Sequence, residues 1–299
     1  MILSKKITKD LKGKTVKDIL LNQLNLSNRL IIKLKKYNQI YCNDKTCYTN
    51  HLVDINDIVC VNINFNEETN DNIIPVKHDL NILYEDDCLL IVNKDANVAT
   101  HPSMLHFDNT LSNFVKSYYI SNNINSLIRP VNRLDKNTSG IVIFAKNQYV
   151  QECLIRQMKT EQFKKLYLCI VEGKLTPKTG TICLPIARLE NSIIKRCVSE
   201  SGQLAITQYC VDKIIEINNE FYSVIHVNLK TGRTHQIRVH FSHINHPLIG
   251  DSLYGNESTL INRQALHCQK IELLHPITNN KLCITCELPN DIKNILNKL

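Results

Sequence analysis

One acidic residue, Asp135, stands in a loop otherwise furnished with cations. The stretch RPVNRLDKNTSGIVIFAKN, residues 129–147, sets Arg129, Arg133, Lys136 and Lys146 around it and then runs into an apolar strand. A carboxylate there suits a turn, where Asp bonds its own backbone. It equally suits a reactive group working beside a polyanion whose phosphates the cations hold. The loop alone leaves both open. Further along, HQIRVHFSHINH brings His235, His240, His243 and His246 close together in sequence. A strand and its turn would send these imidazoles in different directions, and no carboxylate or cysteine cluster completes a shell, so no metal is expected. Cys283 and Cys286 in LCITCELP lack the second pair that a metal knuckle needs. The other cysteines sit mostly in apolar runs such as YLCIV, as small buried hydrophobes do.

These residues need elements to carry them. The chain has 299 residues, 43% of them hydrophobic, and a net charge of +8. That length fits one large domain of roughly 200 residues and a smaller one. No apolar run is long enough for a membrane span. MILSKKITKDLKGK has no apolar core of signal-peptide length, so a cytoplasmic protein is expected. Nothing in the sequence requires an oligomer, and a monomer is the expectation. Residues 1–63 hold eleven Lys/Arg against five Asp/Glu, a net +6 that fits nucleic acid as well as a solvated surface. Within them Val16, Ile19, Leu20 and Leu24 recur at helical spacing. Ser27 reads as the N-cap of a second amphipathic helix opened by Leu30, Ile31 and Leu34, with Arg29, Lys33, Lys35 and Lys36 on its polar face. QIYCN, an NDK turn and DIVCVNI follow as a small sheet.

Residues 64–79 are polar and read as a linker. From residue 80 strand-like runs dominate: NILYEDDCLLIVNK, GIVIFAK, KLYLCIVEGKL, GTICLPIARL, YSVIHVNLKTG, HQIRVHFS and KLCITCELP. Helical patterns are fewer, chiefly TLSNFVKSYYI and NQYVQECLIRQMKTEQF. The class this implies is α+β, a larger domain over 80–299 on a large, mostly antiparallel mixed sheet, behind a small α/β domain over 1–63. In HQIRVHFS the alternation predicts a strand with Ile237, Val239 and Phe241 on one face, and Arg238 and His240 on the other, toward a cleft.

LYEDDCLLIVNKDANVATHPS, RPVNRLDKNTSGIVIFAKN, KKLYLCIVEGKL, TGRTHQIRVHFSHINHPLIGDSLYG and ALHCQKIELLHPIT together resemble the RluA-type family of RNA pseudouridine synthases, over about residues 80–290. The pattern of the first 63 residues resembles the S4 RNA-binding module. The resemblance implies an isomerase that breaks the bond between uracil and ribose, turns the base and rejoins it through carbon, without a cofactor. It implies Asp135 as the catalytic carboxylate, by attack on the ribose or by promoting loss of a sugar proton; both routes stay open. Arg238 would be its ion-pair partner, and Tyr167 would stack on the uracil and serve as a base. Arg133 would fill the space left by the flipped nucleotide, because a stacked uridine is otherwise out of reach. Arg233, His235 and the helix cations Arg29, Lys33 and Lys36 would contact RNA, ribosomal first and transfer RNA second. Tyr209, Tyr222 and Tyr254 are expected to pack structurally.

Three positions depart from the family: Asn132 replaces His, Asp95 replaces Pro and Asn97 replaces Gly. Asn97 can still take the left-handed backbone that Gly supplies. Asn132 cannot titrate, which removes any proton-shuttle role there. One rival is a catalytically silent RNA-binding or assembly factor, for which Asp135, Tyr167 and Arg238 together would have no use. The other is an RNA hydrolase, which would need a metal or an acid/base pair near the loop.

Overall fold

The computed structural model describes residues 1–65, 73–103 and 107–297. Its N-terminal part runs β1 (Ile2–Lys6), α1 (Val16–Asn22), α2 (Asn28–Lys36), β2 (Ile40–Cys42), β3 (Lys45–Thr46) and β4 (Ile58–Asn62), with the strands ordered β1-β4-β2-β3. Thr15 and Asp18 form a capping box that starts α1, and the Ser27 hydroxyl accepts from the Leu30 amide to start α2. Asn43 and Asp44 both take positive φ, the geometry that a tight hairpin between β2 and β3 demands. Val16, Ile19, Leu20, Leu30, Ile31 and Leu34 bury against Val59 and Val61 as a cluster of their own. β1 has no apolar periodicity and is absent from the sequence reading. It is an edge strand held by backbone pairing from Ile2↔Asn62 to Lys6↔Ile58, which side-chain patterning does not report.

The larger part contains β5 (Asn81–Glu85), β6 (Leu89–Lys94), α3 (Leu111–Ser121), β7 (Ser139–Ala145), α4 (Gln148–Gln157), β8 (Lys164–Glu172), β9 (Thr179–Cys183), β10 (Ile186–Arg188), β11 (Arg196–Val198), β12 (Ile206–Ile217), β13 (Glu220–Leu229), α5 (Gln236–His243), β14 (Leu266–Leu274), β15 (Lys281–Thr285) and α6 (Asn290–Leu296). Nine strands form one sheet in the order β5-β6-β7-β14-β8-β13-β12-β9, with β15 added on β14. The expected mostly antiparallel sheet is therefore present; of its pairings, β7 with β14 is parallel. GTICLPIARL divides at Pro185 into β9, in the large sheet, and β10, which forms a separate two-stranded sheet with β11. Proline cannot donate to a ladder, so it suits the break. Val76 and Ile73 from the second half of the expected linker pack on the main core, while residues 66–72 lie outside the described residues. Among the described residues no helix is long and apolar enough to cross a membrane.

One expectation is overturned. HQIRVHFS is not a strand: Gln236–His243 is α5. His235 takes φ 57° at its start, and the Gln236 side-chain Oε1 accepts from the Arg233 amide and the Thr231 hydroxyl, turning the chain out of β13 into the helix. Residues 236–241 are all buried, so the helix shows no polar face and its apolar residues mimic a two-residue alternation. On a helix, positions two apart diverge. Arg238 reaches the cleft, whereas His240 is sunk in the core between Thr207 and the Leu184 carbonyl.

Candidate active site

The Asp135 loop is fixed from several sides. Thr100 clamps its approach: the Thr100 hydroxyl donates to the Leu134 carbonyl (3.0 Å) and accepts from the Leu134 amide (3.2 Å). Asn132 is buried; its Nδ2 donates to the Ile141 carbonyl (3.0 Å) and its Oδ1 accepts from the Ile143 amide (2.9 Å). The side chain thus splices the loop to β7, a task that needs an amide and no titration. The turn closes with the Thr138 amide on the Asp135 carbonyl (3.0 Å). Beneath it Lys94, 1% exposed, donates to the carbonyls of Asp95, Val98 and Lys136 at 2.7–3.0 Å. Burial pulls the Lys94 amine down to about 7, against the pull of Asp135. Gly140 ends the loop with φ +116°, and a Cβ there would come within 2.3 Å of the Cys268 carbonyl on β14. Only glycine lets the parallel strands approach at that point.

Arg238 meets this loop from α5. Its Nη1 donates to Asp135 Oδ2 at 3.3 Å. Its Nε and Nη2 form a two-pronged pair with Asp251 at 2.7 and 2.8 Å, the fork geometry that holds a guanidinium rigid. Asp251 is fully buried and also accepts from the Leu253 and Tyr254 amides. The preceding Gly250, at φ +71°, has no room for a Cβ, which would stand 2.4 Å from the Arg263 carbonyl. Asp251 therefore fixes Arg238, and Arg238 orients Asp135. The sequence reading did not assign Asp251. Its only signal was an acid set in the apolar run PLIGDSLYG, since such acids are rarely buried unless paired.

A second arm reaches Asp135 through His235, whose Nε2 lies 3.9 Å from Asp135 Oδ2. The Tyr254 hydroxyl accepts from the Arg196 amide (2.8 Å) and pairs with His235 Nδ1 (2.8 Å). Burial keeps this imidazole below its usual value despite Asp135, so it is neutral at physiological pH. Tyr254 is structural as expected, but it serves the site, with its ring 5.0 Å from the Arg238 guanidinium carbon.

Asp135, Tyr167, Arg238, Arg133, Arg233 and His235 all border one cleft of about 510 Å³, within the range that holds small molecules. Tyr167, on β8, is 5% exposed. Burial first, then the Cys268 thiol and Asp135, hold its phenol well above the ordinary value, so it carries an intact O–H rather than a phenolate. Arg133 is exposed at the rim, and Arg233 is tied to the Leu204 carbonyl and Gln203. Arg29 and Lys36 lie exposed on α2, outside this cleft, with Lys33 partly buried between them.

Residues 88–243, more than half the chain, match the family model for RNA pseudouridylate synthase. Over 284 residues the chain is 38% identical to the uncharacterised RNA pseudouridine synthase YhcT of Bacillus subtilis (strain 168), covering 95% of this chain and 92% of that one. It is 37% identical over 243 residues to the ribosomal large subunit pseudouridine synthase D of Blochmanniella floridana, covering 76% of this chain and 74% of that one. The structure of human RNA pseudouridylate synthase domain containing 1 aligns with a TM-score of 0.59 at 25% identity, over 71% of this chain and 84% of that one. Similarity of this extent accounts for the loop, strand and helix that meet at Asp135, and the chain belongs to the RNA pseudouridylate synthase family, as an isomerase of the RluA type.

Proposed function

We propose that this pseudouridine synthase modifies a uridine of ribosomal RNA, with Asp135 as the carboxylate that works on sugar and base. The observation that carries this reading is the Arg238–Asp135 contact, which aims a partly exposed carboxylate into the cleft beside Tyr167. The bond from ribose C1′ to uracil N1 breaks, the base turns, and C5 bonds to C1′ while C5 loses a proton and N1 gains one. Atoms and electrons balance within the substrate, so no cofactor is needed. Tyr167 supplies a stacking face for the freed ring, worth about 1–3 kcal/mol per base. Its raised phenol favours that role, and hydrogen-bond donation, over proton abstraction. Arg133 fills the vacated stack, and Arg233 and His235 grip the flanking nucleotides. The protein acts as a cytoplasmic monomer. Ribosomal RNA is favoured because several similar proteins bear the name ribosomal large subunit pseudouridine synthase D.

Pseudouridine maps of cellular RNA from cells with and without the gene test this directly. At least one ribosomal uridine is expected to stay unmodified without the gene and to regain modification when it is returned. A complete and unchanged map would sink the reading.

In the same reading residues 1–63 are an S4-like module that adds affinity through α2. Its N-cap serine also donates to Glu152 of α4 at 2.7 Å, which fastens the helix to the larger part of the chain. Replacing Arg29, Lys33 and Lys36 together by glutamine should weaken binding to every RNA tested. The slope of log affinity against log salt should fall by about 2 to 3, one cation per phosphate released. An unchanged slope in filter binding would remove α2 from the RNA interface.

A further inference from the structure

Lys165 precedes Tyr167 by two residues on β8, so both side chains leave the same strand face about 7 Å apart, and both border the cleft. The lysine is 8% exposed, and among the described residues no hydrogen bond or ion pair to its ammonium occurs, the Cys268 thiol being the group that acts on it electrostatically. The cleft it borders is lined by Met158, Leu229 and Leu266, which offer no acceptor in their side chains, as well as by polar residues such as Asp135 and Thr138. The turn after β13 passes over it at Gly232, where a Cβ would stand 3.4 Å from Nζ. Lys94, the other deeply buried lysine near the cleft, is different: its three protons all reach carbonyl oxygens. A buried ammonium with no hydrogen-bond acceptor of its own is costly, and burial accordingly lowers the Lys165 pKa against the pull of the Cys268 thiol. Such a group is retained where a ligand supplies the missing acceptor.

We propose that Lys165 donates a hydrogen bond to a carbonyl oxygen of the target uracil and holds the negative charge which that oxygen gains when the glycosidic bond breaks. This rests on the Asp135-centred reading of the site. When the C1′–N1 bond opens, its electron pair stays with the ring and spreads over N1, O2, O4 and C5. The ammonium meets that charge as it forms and keeps its proton throughout. C5 then bonds to C1′, C5 releases its proton and N1 takes one, leaving Lys165 unchanged. A fixed donor aimed at developing charge in a water-poor site stabilises the transition state more than the ground state.

The test uses the full chain and a transcript carrying the uridine that gene deletion leaves unmodified. Single-turnover isomerisation by Lys165→Met is expected to slow about 100-fold or more, the cost of removing one such donor. The RNA dissociation constant should stay within about threefold, and the melting temperature should be unchanged or higher because an unpaired buried charge is gone. Lys165→Arg, which cannot deprotonate, should retain part of the rate and hold it to higher pH than the wild type. Titration of uridine itself affects both proteins alike. A wild-type rate in Lys165→Met would overturn the proposal. So would lost RNA affinity at an intact rate, which marks a phosphate clamp, or a lowered melting temperature in Lys165→Met, which marks a structural anchor. Full activity in Asp135→Asn would instead refute the reading beneath it.

Discussion

Asp135→Asn is expected to slow pseudouridine formation by about 10³-fold or more while leaving the affinity for substrate RNA within about threefold. The magnitude follows from what one positioned reactive carboxylate contributes to a barrier. The unchanged affinity follows from charge: a carboxylate beside phosphates does not attract RNA, and its removal weakens no phosphate contact. The fold should tolerate the change, because asparagine keeps an oxygen for Arg238 Nη1 and the acid is partly exposed. Single-turnover assays and RNA titration on the purified variant separate the two quantities. A loss of affinity that matched the loss of rate would make Asp135 a structural part of the RNA interface.

Asp251→Ala should be the most damaging single change to stability in this region. It strips the acceptors from Arg238 Nε and Nη2 and from the amides of Leu253 and Tyr254, and leaves a buried guanidinium with only the 3.3 Å contact to Asp135. Removing one partner of a buried pair costs about 3–5 kcal/mol, a fall in melting temperature on the order of 10 °C for a chain of this size. Turnover should fall as well, since both the Arg238 and the Tyr254–His235 arms lose their anchor. Adding Arg238→Met to Asp251→Ala should restore part of the stability and none of the activity. That pattern in a double-mutant cycle separates the buried charge from the chemistry. A cost below about 1 kcal/mol for Asp251→Ala alone would show that the pair does not hold the site together.

The motifs singled out Asp135, Arg238 and Tyr167 as candidates through the family resemblance, and the structure brings all three to one cleft, although Arg238 gets there on a helix rather than the expected strand. Asn97 is legible in the same way, taking φ 64° where the family has glycine. Helices α1 to α4 were readable from amphipathic spacing and caps, since each turns one face to water. Where that contrast vanishes, the sequence misleads. α5 is buried over residues 236–241 and read as a strand, which aimed His240 at the cleft instead of into the core. β1 pairs through its backbone and carries no apolar pattern.

By itself, then, the sequence determined the family and the mostly antiparallel α+β class, and it marked Asp135 as the candidate acid, all from residues near one another in the chain. Beyond Arg238, only the tertiary structure decided what surrounds that acid. Asp251, Tyr254, Lys94 and Lys165 come from β6, β8 and the loop after α5, and acquire their roles through burial and through partners distant in sequence. Desolvation is the physical reason: it makes an unremarkable lysine or aspartate costly unless a partner is near, and burial is a property of the folded chain, not of any single stretch of it.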